Sequence, residues 1–104
     1  MSLYAEQATY RGLAFRAPHR GPFEIRQYLQ EIFSAEDAVA CWFGEPVTVG
    51  DRAAIEWWAT WLEDGQRLTM AGTTMLRFGA NGRVVDHRDY WNQVEHREPP
   101  YAGW

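Results

Sequence analysis

A chain of 104 residues with a net charge of −4 has room for one domain and carries no electrostatic footprint for nucleic acid. Six Trp, five Phe and five Tyr supply much of the apolar area that so small a domain needs for a core. No apolar run approaches the roughly 18 residues that span a bilayer, and no basic-then-apolar leader is visible, so a soluble, cytoplasmic protein is expected.

In chain order, Met1-Ser2-Leu3 is short enough to be a cloning remnant, and "RGLAFRAPHRG" reads as a bent, irregular stretch. Gly21-Pro22 then opens a helix, because proline suits the first helical position. Ile25, Tyr28, Leu29, Ile32 and Phe33 recur at helical spacing and mark its buried stripe. The helix is expected to stop near Ser34 to Asp37. From Val39 the period changes to two, which predicts strands at about 39–49, 52–63, 67–78 and 83–92. Gly50-Asp51, Asp64-Gly65 and Asn81-Gly82 are the turns between them, the last two being strong hairpin signals. Pro99-Pro100 ends the sheet, and Trp104 is expected to fold back onto the body. These elements predict a single α+β domain over residues 1–104, with the helix laid across one face of an antiparallel four-strand meander.

Cys41 is the single cysteine, so an internal disulfide is excluded. In "VACWFG" it reads as a small core hydrophobe, and the nearby sequence offers no base to activate it. Neither CxxC nor HExxH occurs. No cofactor or metal is proposed.

Register decides which side chains converge. A two-residue Asp64-Gly65 turn puts Trp61 opposite Leu68, Ala59 opposite Met70, Trp57 opposite Gly72 and Ile55 opposite Thr74, all on the more apolar face. That face is expected to receive the helix. Glu56, Trp58, Thr60, Thr69, Thr73 and Arg77 point the other way. In the last hairpin a slip of one residue reverses every side chain. A two-residue Asn81-Gly82 turn pairs Leu76 with His87, Thr74 with Asp89 and Gly72 with Trp91, facing the helix. A three-residue loop with Gly82 in a bulge turns His87 and Asp89 outward instead. "ANG" suits both, and the cross-strand charge pair Arg77–Asp86 favours the first.

In that register Trp57, Met70, Thr74, His87, Asp89 and Trp91 share one wall. An aromatic cup with a few converging polar groups has the make-up of a small-molecule site. Asp89 near indole rings is expected to be desolvated, with a raised pKa suited to a general acid or base, and His87 could share its proton. His19, in the loop before the helix, is a candidate for the rim. Each has a plainer reading: Asp89 as a carboxylate paired with Thr74, His87 or an arginine, the tryptophans as core, and Arg16, His19 and Arg20 as solvated surface.

"Phe15-Arg16", "His19-Arg20-Gly21", "AAIEWWAT", "LRFGANGRVVDHRDYWN" and the closing Pro-Pro with Gly-Trp resemble SnoaL-like proteins of the nuclear transport factor 2-like superfamily. The resemblance implies a cone: a strongly curved antiparallel sheet wrapped around helices, an internal pocket and frequent dimerisation. Its members include polyketide cyclases, ketosteroid isomerases and limonene-epoxide hydrolases, so it implies a fold far better than a reaction. "HRDYWN" is similar to the last-strand motif of the limonene-epoxide hydrolases, whose acid/base aspartate falls on Asp89. The arginine and second aspartate of that site fall on Ile55 and Trp57, which cannot replace them. The resemblance therefore does not carry epoxide hydrolysis by that mechanism. Family members usually begin with a long helix, and "LYAEQATY" looks like its exit. Its absence would expose apolar surface and favour association.

The expected protein is a homodimer holding a small, largely apolar ligand, with no nucleic-acid or membrane partner. Trp57, Met70, Thr74, Trp91 and His19 would bind that ligand. Asp89, assisted by His87, would perform isomerase-, cyclase- or lyase-type proton transfer; the rival is a binding or assembly domain without turnover. The outer sheet face, with Trp58, Thr73, Met75 and Tyr90, is the expected dimer surface.

Overall fold

The computed structural model describes residues 3–34 and 36–104; Met1 and Ser2, the first two residues of the short opening stretch, lie outside the described residues. In chain order the elements are β1 (Tyr4–Arg11), β2 (His19–Arg20), α1 (Gly21–Ser34), β3 (Asp37–Phe43), β4 (Val47–Val49), β5 (Arg52–Glu63), β6 (Gln66–Phe78) and β7 (Val84–Val94). The strands form one sheet in the order β2-β1-β7-β6-β5-β3, with β4 also on β5. Pairing is antiparallel except between β1 and β7, which run parallel. The architecture is α+β, as expected, but the sheet has seven strands in place of a four-strand meander.

The β5–β6 hairpin has the expected register, with Trp61 opposite Leu68, Ala59 opposite Met70, Trp57 opposite Gly72 and Ile55 opposite Thr74. Asp64 and Gly65 form its two-residue turn at φ of 51° and 77°. Positive φ at both centres is the twist that right-handed strands require of a tight hairpin. The expected strand over 39–49 is divided: Gly44, Glu45 and Pro46 separate β3 from β4, and both halves pair with β5. Proline has no N–H for the ladder, which accounts for a break there.

The last hairpin combines both sequence alternatives. Its loop spans 79–83, closed by Gly79 N–H to Arg83 O at 2.8 Å, with Gly82 at φ 78°. Phe78 pairs with Val84, but Arg77 pairs with Asp86, so Val85 is an extra residue in β7. This bulge restores the register that the longer loop would have shifted. Leu76 therefore faces His87, and Thr74 faces Asp89. Arg77 and Asp86 are cross-strand partners, yet the Asp86 carboxylate is held by Arg88 at 3.1 Å and by the Thr9 hydroxyl at 2.8 Å.

Two expectations fail at the front of the chain. "LYAEQATY" is strand β1, not the exit of a helix. Its buried residues are Ala5, Ala8 and Tyr10, spaced three and then two apart, and its register on β7 shifts between Tyr4 and Thr9. That irregularity interrupts the period of two. The helix, in turn, packs on β1 and β2 instead of across the meander. Ile25, 1% exposed, sits against Ala8 and Tyr10, with Tyr4, Tyr28 and Leu29 around them. Burying one such isoleucine is worth about 2–3 kcal/mol. Phe33 at the end of the stripe is 62% exposed.

The tail folds back as expected, onto the outer sheet face. Thr69 donates its hydroxyl to His96 O at 2.7 Å and accepts the Glu98 N–H at 2.9 Å. Tyr101 meets Trp58 edge-on, and Trp104 Nε1 donates to Glu56 at 2.7 Å. Trp58 thus lies against the chain's own tail, while Tyr90 remains exposed.

Candidate functional site

Because α1 rests on β1, the apolar face of β5, β6 and β7 is not filled by the helix. Between them lies a cavity of about 420 Å³, within the usual range for small-molecule sites. Trp57, Met70, Thr74, His87, Asp89 and Trp91 all line it. His19 does not: it belongs to β2 and stacks on Tyr28, 4.0 Å between ring centroids, and Tyr28 faces the cavity. Cys41 also differs from expectation, being an exposed residue on the cavity wall instead of a core one. Partial burial and then the nearby Glu36 push its thiol pKa up, away from the reactive thiolate.

Asp89 is the hub of a hydrogen-bonded cluster. Its Oδ2 accepts the Tyr10 hydroxyl at 2.5 Å, and its Oδ1 accepts the Thr74 hydroxyl at 2.7 Å and His87 Nε2 at 2.8 Å. Thr74 in turn accepts Trp57 Nε1–H at 2.8 Å. On the far side of the imidazole, His87 Nδ1 lies 3.0 Å from the Tyr4 hydroxyl. With Nε2–H on Asp89, Nδ1 is the acceptor, so a neutral imidazole satisfies both neighbours. Tyr10 also packs on the His87 ring at 4.1 Å. Trp91 is fixed by its Nε1–H on Gly12 O at 2.7 Å. Side-chain exposure is 13% for Asp89 and 16% for His87, so the pair is largely shielded yet reaches the cavity.

The expected rise in the Asp89 pKa is reversed. Burial alone would raise it, but the hydrogen bond and charge of His87, with the bonds from Tyr10 and Thr74, hold it below the ordinary value. Asp89 is therefore an anion at neutral pH. Tyr10 shows the opposite effect: burial first, then the Asp89 charge and hydrogen bond, raise its pKa well above that of an ordinary phenol. Burial and Asp89 likewise raise Tyr4 and Tyr28. All three remain neutral hydroxyls. In an alkaline spectrophotometric titration they are expected to ionise later than the ordinary phenol value of about 10. Ionisation of Tyr10 at the ordinary value would show that its bond to Asp89 is absent in solution.

Reading the sequence missed Tyr4, Tyr10 and Tyr28. The first two reach Asp89 and His87 only through the parallel β1–β7 pairing, which sets Tyr10 opposite His87. No local pattern signals a pairing between the two ends of a chain. Among the described residues no group of three or more His, Cys, Asp or Glu could hold a metal ion. None of the described helices is long and apolar enough to cross a membrane.

A mixed, mostly antiparallel sheet with one helix over an aromatic cavity is the nuclear transport factor 2-like class of fold, also called ketosteroid isomerase-like. Within it, the chain belongs to the SnoaL-like domain family, whose model matches residues 1–87. Among solved structures, a putative SnoaL-like polyketide cyclase from Jannaschia sp. CCS1 superposes with a TM-score of 0.78 at 12% identity, covering 86% of this chain and 67% of its own. The epoxide hydrolase/cyclase-like enzyme SalBIII, of pyran ring formation in salinomycin, gives 0.75 at 17%, covering 86% and 73%. A ketosteroid isomerase-like protein from Catenulispora acidiphila DSM 44928, in complex with trimethylamine, gives 0.74 at 21%, covering 85% and 68%. At these identities the likeness establishes the fold. No curated protein matches the chain significantly.

Proposed function

We propose that this single domain binds a small, largely apolar molecule in the cavity and moves a proton to or from it through the cluster of Asp89, His87 and Tyr4. The observation that carries this reading is the contact of two titratable side chains, Asp89 and His87, in an otherwise mostly apolar and aromatic cavity. A carboxylate held below its ordinary pKa by three donors is a weak base, so the geometry favours Asp89 as the group that orients His87. His87 Nδ1, with the Tyr4 hydroxyl, is then the place where a proton is exchanged. Isomerisation, cyclisation and elimination all need such a step. Trp57, Met70, Thr74 and Trp91 form the ligand wall, with His19 one ring behind it at Tyr28. The trimethylamine complex of the Catenulispora protein supports the capacity of this fold to hold a small molecule.

Solvent deuterium exchange tests the reaction without knowledge of the natural substrate. A panel of small cyclic ketones, incubated in heavy water, is expected to gain deuterium beside the carbonyl with the wild type and not with His87→Gln. Binding of panel members with no exchange would reject the proton-transfer reading. The second reading, a ligand-binding domain without turnover, would then stand. It is favoured by one fact: Asp89 and both ring nitrogens of His87 already have protein partners. The outer face around Thr73, Met75 and Tyr90 is our candidate for a homodimer surface. Sedimentation as a monomer at micromolar concentration would exclude it.

A further inference from the structure

The charges around the cavity restrict what it can hold. The chain contains no lysine, and none of its arginines lines the cavity. The formal charges on the described lining are two carboxylates, Asp89 and Glu36, and whatever proton His87 takes up. Glu36 stands near Glu63, whose charge adds to burial in raising the Glu36 pKa. The phenols of Tyr4, Tyr10 and Tyr28 give hydrogen bonds but no positive charge. Among the described lining, His87 alone can bring a positive charge to Asp89, and in its neutral form both of its ring nitrogens already have partners. The cavity that holds Asp89 is lined by the rings of Tyr4, Tyr10, Tyr28, Trp57, Trp61 and Trp91. A carboxylate in an aromatic-lined cavity attracts a cation by direct charge, and ring faces turned to the cation add to that through their quadrupoles.

Hydrogen-bond capacity narrows the class further. A carboxylate has about four acceptor sites; Asp89 uses two on Oδ1 and one on Oδ2. One more donor matches what remains on Oδ2. A protonated tertiary amine offers a single N–H and three apolar arms. A primary ammonium would bring two more donors that the surrounding rings cannot satisfy well.

We infer that the cavity recognises a small protonated tertiary amine, its N–H on Asp89 Oδ2 and its alkyl groups against the tyrosine and tryptophan rings. The inference rests on the reading of the cavity as a ligand site and adds the ligand's chemical class. A neutral molecule of the same shape would gain the apolar contacts without the charge. An anion would face Asp89 and Glu36 with no arginine or lysine to meet it.

The test compares N,N-dimethylbenzylamine with its neutral carbon isostere, isobutylbenzene, by NMR titration of the full chain, following the indole N–H signals of Trp57 and Trp91. The amine is expected to bind at least about tenfold more tightly. Asp89→Asn, if folded by circular dichroism, is expected to lose that preference. Equal or tighter binding of isobutylbenzene overturns the amine inference and leaves the ligand site standing. Failure of both compounds to move either indole signal at millimolar concentration overturns both. A folded Asp89→Asn that keeps the preference also overturns the inference. The comparison of the two ligands needs no substitution, so it decides the matter even where the variant does not fold.

Discussion

Asp89→Asn is expected to lower stability by about 1–3 kcal/mol, or on the order of 10 °C in Tm for a domain of this size. Asparagine keeps the shape but replaces one acceptor oxygen with a donor. Asp89 accepts from Tyr10 on one oxygen and from Thr74 and His87 on the other. Whichever way the amide turns, at least one donor loses its acceptor: the Tyr10 hydroxyl on one side, or His87 Nε2–H and the Thr74 hydroxyl on the other. The charge that strengthened the remaining bonds is also lost. The pH dependence has a definite sign. The folded-state pKa of Asp89 lies below its ordinary value, so its contribution is fully present above the unfolded value of about 3.9 and is lost as pH falls through the folded one. Urea unfolding across a pH series should show the gap between wild type and variant closing in acid. A gap that stays constant from neutral to strongly acidic pH would mean that the Asp89 charge does not hold the cluster together.

Gly72→Ala is expected to cost about 3 kcal/mol and to impair the site with the fold. Gly72 lies between Trp57 on β5 and Trp91 on β7. A Cβ there would stand 2.3 Å from Tyr90 O, 2.9 Å from Trp91 Cβ and 3.0 Å from Trp91 Cα. Alanine usually improves on glycine in a strand by up to about 1 kcal/mol. Here the nearest neighbour is a backbone oxygen in the sheet ladder, which cannot turn aside, so the clash wins. Relief requires β7 to move from β6, and Asp89 and Trp91 ride on β7. Thermal unfolding and the chemical shift of the Trp91 indole N–H should therefore change together. A variant as stable as the wild type would show that β6 and β7 are not in this register.

The meander was legible because its turns are. Asp64-Gly65 demands positive φ at both centres and thereby sets twelve residue pairs of β5 and β6. The β7 register came out as expected through a different route, since the extra residue at Val85 offsets the longer loop around Gly82. Sequence patterns show neither half of that compensation. β1 was illegible because its irregular pairing spaces Ala5 and Ala8 as a helix would. With β1 unseen, the helix had only the meander to cover. Its true seat on Ala8 and Tyr10 is what leaves the cavity open. For the same reason the sequence alone presents Asp89 as a carboxyl among indoles. Local sequence supplies Thr74 and His87 as partners, but Tyr10 lies 79 residues away. That third bond helps turn the expected rise in pKa into a fall.

The most direct test of a charged Asp89 in the cavity is its pKa, read from the side-chain carboxyl carbon by NMR through a pH titration of the wild type and assigned with Asp89→Asn. A midpoint below the ordinary aspartate value of about 3.9 is predicted, because His87, Tyr10 and Thr74 together outweigh burial. A midpoint above that value would mean a desolvated carboxyl without its donors. It would contradict both the hydrogen-bonded cluster and the anionic amine site built on it.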